Sequence, residues 1–266
     1  MIDGTVELVR RIARLDGERG GSPSVYDPNA DLTWFVEVLS EVTNPGKAFD
    51  VRQIPCASPR DADDLFAGCR LLRRLVAAAP EVVCGPLQPE RQFWVATRKP
   101  RWEPPGACEP RRSSFVPVAP EAAIELSTKP FGHGLFTSTG VLGTVGMWRL
   151  YLELYRDASP LRLPWHTWLI GAKPNSAVKE VTTAAEWVEF VRSYPQPAGS
   201  LLFPNWRAIA ADYDAVHMTI RAIGATQGIG FPTEDGIVAA PYWDVESTFW
   251  LRWSFDVATL IEVSNP

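Results

Sequence analysis

PYWDVESTFWLRWSF, residues 241–255, sets two carboxylates into a run of tryptophans and phenylalanines. A run this rich in aromatic and β-branched residues reads as a strand, and strand side chains alternate between the two faces of a sheet. Trp243, Val245, Ser247, Phe249, Leu251 and Trp253 then share one face, which is a core face. Asp244, Glu246, Thr248, Trp250 and Arg252 share the other. Two like charges side by side raise each other's pKa, and an apolar cleft does the same by desolvation, so such a pair is kept mainly where its charge is used. The plainer alternative is that both carboxylates face water at a sheet end, or pair with Arg252.

Working outward, the residues before this strand, GATQGIGFPTEDGIVAAPY, read as a long mobile loop with a short strand at GIVAAPY. From Phe93 onward, short aromatic or β-branched runs alternate with Pro and Gly clusters: QFWVATR, LFTST, MWRLYLELY, HTWLIGA, AVKEV, YDAVHMTIRAI and TLIEV all read as strands. The 24 prolines fall mostly in the connections. Two helices interrupt: TTAAEWVEFVRSYP, where Thr183 and Glu186 fit a capping box, and NWRAIAADY, capped by Asn205.

The N-terminal texture is helical. TVELVRRIARL and ADLTWFVEVLSEV each carry an apolar stripe at helical spacing. SPRDADDLFAGCRLLRRLVAAAPE starts with Ser58 as cap and Pro59 at the first helical position, and AFDVRQIP reads as a short strand. The expected architecture is α+β: a helical accessory region over residues 1–90, then a β-rich domain over 91–266, with the boundary near PLQPERQ.

Totals narrow the function. A net charge of −5 and 21% charged residues give no electrostatic footprint for general nucleic-acid binding. A local basic run at Arg98, Lys99, Arg101, Arg111 and Arg112 reads as a solvated loop or a groove. No stretch approaches the roughly 18 uninterrupted apolar residues of a membrane-spanning helix. The start lacks the apolar core of a secretory signal, so a cytoplasmic protein with no membrane partner is expected. The 4 cysteines form no CxxC pair and no zinc-like spacing with the 3 histidines, which points to free thiols and no metal.

Two more motifs bear on chemistry. In KPFGHGLFTSTG (129–140), glycines allow close backbone approach to a ligand, and Thr137, Ser138 and Thr139 offer three successive hydroxyls. A β-bulge before a Thr-rich strand is the ordinary alternative. FWVATRKP (93–100) ends in Arg98, suited to gripping a phosphate bidentately or simply to facing water. His133, between two glycines, is a ligand contact or a turn histidine; His166 and His217, in strands, read as structural. Trp94, Trp148 and Trp250 are candidates to line a cleft.

An arginine ending the first core strand, an S/T-x-S/T strand after a glycine-rich turn, and an acidic-x-Glu strand occur here in order. In that respect residues 93–255 resemble the toxin-like mono-ADP-ribosyltransferases of the arginine–serine–glutamate class. The resemblance implies a split-sheet catalytic domain and NAD as substrate. Arg98 would hold the pyrophosphate, and Ser138, with Thr137 and Thr139 beside it, would serve the nicotinamide-ribose site and help hold the glutamate. Glu246 would bind the ribose hydroxyl and stabilise an oxocarbenium-like transition state, while Asp244 would face the incoming nucleophile. Gly134 and His133 would border the site, and Phe136 or Trp148 would stack on nicotinamide. Members of the class commonly carry Gln or Glu where Asp244 stands, so the acceptor — protein side chain, nucleic-acid base, small molecule or water — stays open. A transferase (a glycosyltransferase in the broad sense) is the first reading, and an inactive fold that binds a nucleotide or a partner protein is the second. A glycosidase built on Asp244 and Glu246 comes third, because both carboxylates would approach the sugar from one side.

Overall fold

The computed structural model describes Leu32, Thr33, Phe35 and residues 56–68, 70–98, 108–121, 124, 126–130, 132–141, 145–157 and 161–264. The helix expected over TVELVRRIARL, the strand at AFDVRQIP, Lys99 and Arg101 lie outside these residues. So does most of the helix expected over ADLTWFVEVLSEV, although Leu32, Thr33 and Phe35 are helical.

The described chain is α+β. Its larger sheet has seven strands, β1 (Gln92–Ala96), β2 (Leu135–Thr139), β3 (Trp165–Ala172), β4 (Val178–Val181), β7 (Ala215–Met218), β10 (Ser247–Trp250) and β11 (Phe255–Ser264), in the spatial order β11-β3-β1-β2-β10-β7-β4. The smaller sheet, β5-β6-β9-β8, joins β5 (Pro195–Ala198), β6 (Leu201–Pro204), β8 (Phe231–Thr233) and β9 (Gly236–Val238). Pairing is antiparallel except for β4 with β7 and β6 with β9. The three strands that carry the sequence motifs are neighbours. β2 pairs with β10 through Leu135–Thr137 and with β1 through Ser138 and Thr139, so it changes partner midway along the hydroxyl run.

The SPRDADDLF segment starts as its caps dictate. Ser58 Oγ accepts from the Asp61 N–H at 3.1 Å, with Pro59 at the first position of α1 (Pro59–Ala67). The expected single helix is three, because Gly68 closes α1 and Pro80 opens α3 (Pro80–Cys84) after α2 (Arg70–Ala78). Phe66, Leu72, Leu75, Val82 and Val83 share one core with the sheet residues Val216, Met218 and Phe249, so these helices roof the sheet.

Three other expectations need correction. MWRLYLELY, read as a strand, is helix α4 (Met147–Leu154): its Met, Leu, Arg and Glu favour helix, and Arg149 pairs with Glu153 one turn on at 2.9 Å. The strand expected over YDAVHMTIRAI ends at Met218, where Thr219 caps α7 (Ile220–Thr226) by accepting from the Ala222 N–H. GATQGIG, read as part of a mobile loop, begins inside that helix. A Cβ on Gly224 would lie 2.1 Å from the Phe66 ring, so this glycine marks a close crossing of α1 and α7. The two helices read at 182–195 and 205–213 form as expected, as α5 (Ala184–Ser193) with Thr183 as cap and α6 (Trp206–Asp212) with Asn205 as cap. Among the described residues no helix is long and apolar enough to cross a membrane.

Candidate functional site

Strand β10 is central, and its four residues are all buried. Phe249 stacks on Phe136 of β2 with centroids 4.5 Å apart, while Trp250 on the other face donates its indole N–H to Thr137 Oγ1 at 2.8 Å. The two carboxylates precede the strand and part company.

Glu246 is wholly buried. Its Oε1 and Oε2 accept from the Thr139 N–H at 3.3 and 3.0 Å, and Oε1 also accepts from Thr139 Oγ1 at 2.9 Å. His217 Nε2 lies 2.9 Å from the same Oε1, and His217 Nδ1 lies 2.6 Å from Glu180 Oε2. The register places Glu180 of β4 directly beside His217 of β7. Burial alone would lower the imidazole, but the bonds to Glu180 and Glu246 and their charges outweigh it and hold His217 up at about 9. Burial would raise Glu180. Its bond to His217, the imidazolium charge and the Leu87 N–H, which donates to Oε1 at 2.8 Å, instead hold it below the usual range. The ladder continues through Gln92, which donates to Thr139 Oγ1 at 2.9 Å and accepts from Thr137 Oγ1 at 2.6 Å.

Asp244 faces a cavity of about 520 Å³. Its φ of 50° is the one left-handed non-glycine backbone among the described residues, a conformation Asp tolerates, and it turns the side chain out of the strand's alternation. Lys129 Nζ lies 3.6 Å from Asp244 Oδ2, and Gln227 Nε2 donates to Oδ1 at 3.4 Å. The ammonium also sits 5.5 Å from the Phe136 ring centroid and 5.9 Å from that of Trp148. Burial pushes the Lys129 amine down, with Asp244 opposing. Burial, then the Asp244 charge and Tyr155, push the Tyr151 phenol up to about 12.

Ser138 and the glycines shape this cavity. Ser138 Oγ accepts from the Trp148 N–H at 3.1 Å and so anchors the start of α4, which carries Trp148 and Tyr151 to the cavity wall, their rings stacked 5.2 Å apart. A Cβ on Gly146 would come within 2.9 Å of Ser138 Cβ. Gly134, at φ 65°, donates to Val116 O at 2.7 Å, and a Cβ there would meet the Phe249 ring and Trp250 O at 2.4 Å.

The structure thus gathers Asp244, Thr137, Ser138, Phe136, Gly134 and His133 on one cavity. Trp94 and Trp148, the cleft candidates, also line it, while Trp250 is buried behind β2. Glu246 and Thr139 do not line it. Their carboxylate and hydroxyl are turned to the buried ladder, so Glu246 does not meet a ligand in this conformation. Arg98 does not join them either: it is exposed and donates from Nε to Cys108 Sγ at 3.1 Å. The cations on the cavity wall are Lys129 and Arg111. Arg252, the alternative partner of the acidic pair, binds Asp214 at 3.2 Å. Residue reading missed Lys129, Tyr151, and the Glu180–His217–Glu246 chain. Lys129 was visible as the one charge between Ser127-Thr128 and Pro130-Phe131, ahead of the glycine turn. The chain depends on which strands pair, and no local pattern carries that.

Cys56, Cys84 and Cys108 are in no disulfide, and the described residues hold no cluster of His, Cys, Asp or Glu able to bind a metal. Compared with family models, with curated proteins and with solved structures, the chain finds no match.

Proposed function

We propose that this chain is an NAD-dependent mono-ADP-ribosyltransferase whose cavity receives the nicotinamide-ribose end of NAD. The observation that carries this reading is the bonding of the TST strand to the acidic strand. Thr139 holds Glu246 through both its N–H and its hydroxyl, while Thr137 and Ser138 reach the cavity that Asp244 faces. The change of partner along β2, from β10 to β1, is in keeping with a split sheet of the ADP-ribosyltransferase kind.

The chemistry follows from charge. The bond between ribose C1 and the nicotinamide nitrogen breaks, nicotinamide leaves with the electron pair, and positive charge develops on the ribose. An acceptor nucleophile then bonds to C1 and releases a proton. A fixed carboxylate beside C1 stabilises that charge more in the transition state than in the ground state. In this arrangement the carboxylate open to the ribose is Asp244, and Glu246 acts through its hold on the hydroxyl strand. Phe136 and Trp148 offer flat faces to the nicotinamide ring.

A second reading, an inactive module that binds a nucleotide or a partner protein, is favoured by one observation: the closed state of Glu246 with Arg98 turned to Cys108. Incubation of the purified chain with NAD, followed for released nicotinamide and by calorimetry, separates the two. Release supports the enzyme, binding without release in the presence of varied acceptors supports the module, and the absence of both release and binding overturns the enzyme and leaves a module whose ligand is not NAD.

A further inference from the structure

The cavity has a composition that selects charge as well as shape. Its wall combines the rings of Phe136, Trp148 and Tyr151 with two carboxylates, Glu109, which pairs with Arg111, and Asp244, beside which the Lys129 ammonium already sits among the rings. The Lys129 side chain is only 12% exposed, its Nζ lying 3.6 Å from Asp244 and within 6 Å of two ring centroids. Aromatic faces carry a negative quadrupole, so a cation over them beside a carboxylate is attracted by all three groups at once.

We propose that this cavity is a site for flat aromatic cations of the pyridinium type, and that Lys129 is a resident cation which the ligand's charge displaces from Asp244 and the rings. The inference rests on the cavity being the ligand site of the function proposed above, and it adds the ligand's charge and a specificity-determining residue. The nicotinamide ring of oxidised NAD is such a cation, and free nicotinamide is neutral. The site would therefore hold the ring before bond cleavage and release it afterwards. The charge leaving the ring appears on the ribose, still in reach of Asp244.

Displacement sets the sign of the variants. Lys129→Met keeps an apolar stem among the rings and removes the competing ammonium, so a cationic ligand binds more tightly. Asp244→Asn keeps the shape and removes the carboxylate, so the preference for charge shrinks.

The test uses N1-methylnicotinamide, a pyridinium cation, against nicotinamide, its neutral near-isostere, titrated into the full chain and read by calorimetry and tryptophan fluorescence. The wild type is expected to bind the cation at least about tenfold more tightly, a preference of the size cation–π attraction gives. Lys129→Met is expected to tighten it by a further several-fold, and Asp244→Asn to bring the two ligands close together. Equal binding of the two ligands by the wild type, or binding of neither, overturns the inference without any variant having to fold. Weaker cation binding by a folded Lys129→Met overturns the resident-cation role. Nicotinamide release from NAD is scored separately. Cation preference without release keeps this inference and sinks the transferase, while release without charge preference does the reverse.

Discussion

Asp244 and Glu246 are two residues apart, chemically alike, and set in opposite surroundings. Around Glu246 the groups of the ladder hold one another: the carboxylate is shared between Thr139 and His217, His217 is spanned by a second carboxylate, and Thr139 is tied through Gln92 to Thr137. Around Asp244 the cavity wall carries the rings of Phe136, Trp148 and Tyr151, the backbone is left-handed, and the bonds to Lys129 and Gln227 are long, at 3.6 and 3.4 Å. A saturated ladder holds strands in register and resists change. A carboxylate with loosely held partners at a cavity exchanges them for a ligand at little cost. The difference teaches that the acidic pair of the sequence is divided by its surroundings, one carboxylate built into the sheet and the other facing the cavity.

The largest effect that tests this contrast is on stability. Glu246→Ala leaves an imidazolium and a hydroxyl buried without their acceptor, so it should cost about 3–5 kcal/mol in urea unfolding. Asp244→Ala takes one partner from a nearly buried ammonium that keeps the Phe136 and Trp148 rings, and should cost less, about 1–2 kcal/mol. Comparable losses at the two positions would break the comparison.

Next comes pH. His217 is raised from 6.5 to about 9 in the fold, so its contribution is fully present below 6.5 and is lost as pH rises through about 9. Glu180 is lowered from 4.5, so its contribution is present above 4.5 and is lost as pH falls through its depressed value. Unfolding free energy measured from pH 3 to 10 should therefore be highest between those limits, and the alkaline decline should flatten in His217→Gln. An unchanged alkaline slope in that variant would remove the imidazolium from the ladder.

Smaller effects sharpen the cavity side. Gly134→Ala meets Phe249 and the Trp250 carbonyl at 2.4 Å and should cost about 3 kcal/mol, whereas Gly132→Ala, with open space around it, should cost only about 1 kcal/mol for its positive φ. Thermal melts of the pair check whether the glycine turn is packed against β10 or merely bent.

Much of the fold was legible wherever a local rule decides it. Ser58, Thr183 and Asn205 cap the helices their sequences announce, and the aromatic runs at 92–96, 135–139 and 165–172 are strands. Legibility failed where packing overrides the pattern. The alternation in MWRLYLELY imitates a strand, but the Ser138 hydroxyl and Gly146 start a helix there. The glycine in IRAIGAT imitates a loop, but it serves a helix crossing beneath Phe66. At the site, the hydroxyl strand and Asp244 could be found by type and spacing. The closure of Glu246 could not, because its partners come from β2 and β7, 107 and 29 positions away in the sequence, and only strand order brings them there.

The most direct test of the central claim is nicotinamide release from NAD by the wild type, Asp244→Asn and Glu246→Gln, each paired with its melting curve. The account predicts release by the wild type, a fall of about a hundredfold in Asp244→Asn with its melting temperature nearly unchanged, and a clearly lowered melting temperature in Glu246→Gln. Full-rate release by Asp244→Asn, or no release and no NAD binding by the wild type, would contradict it.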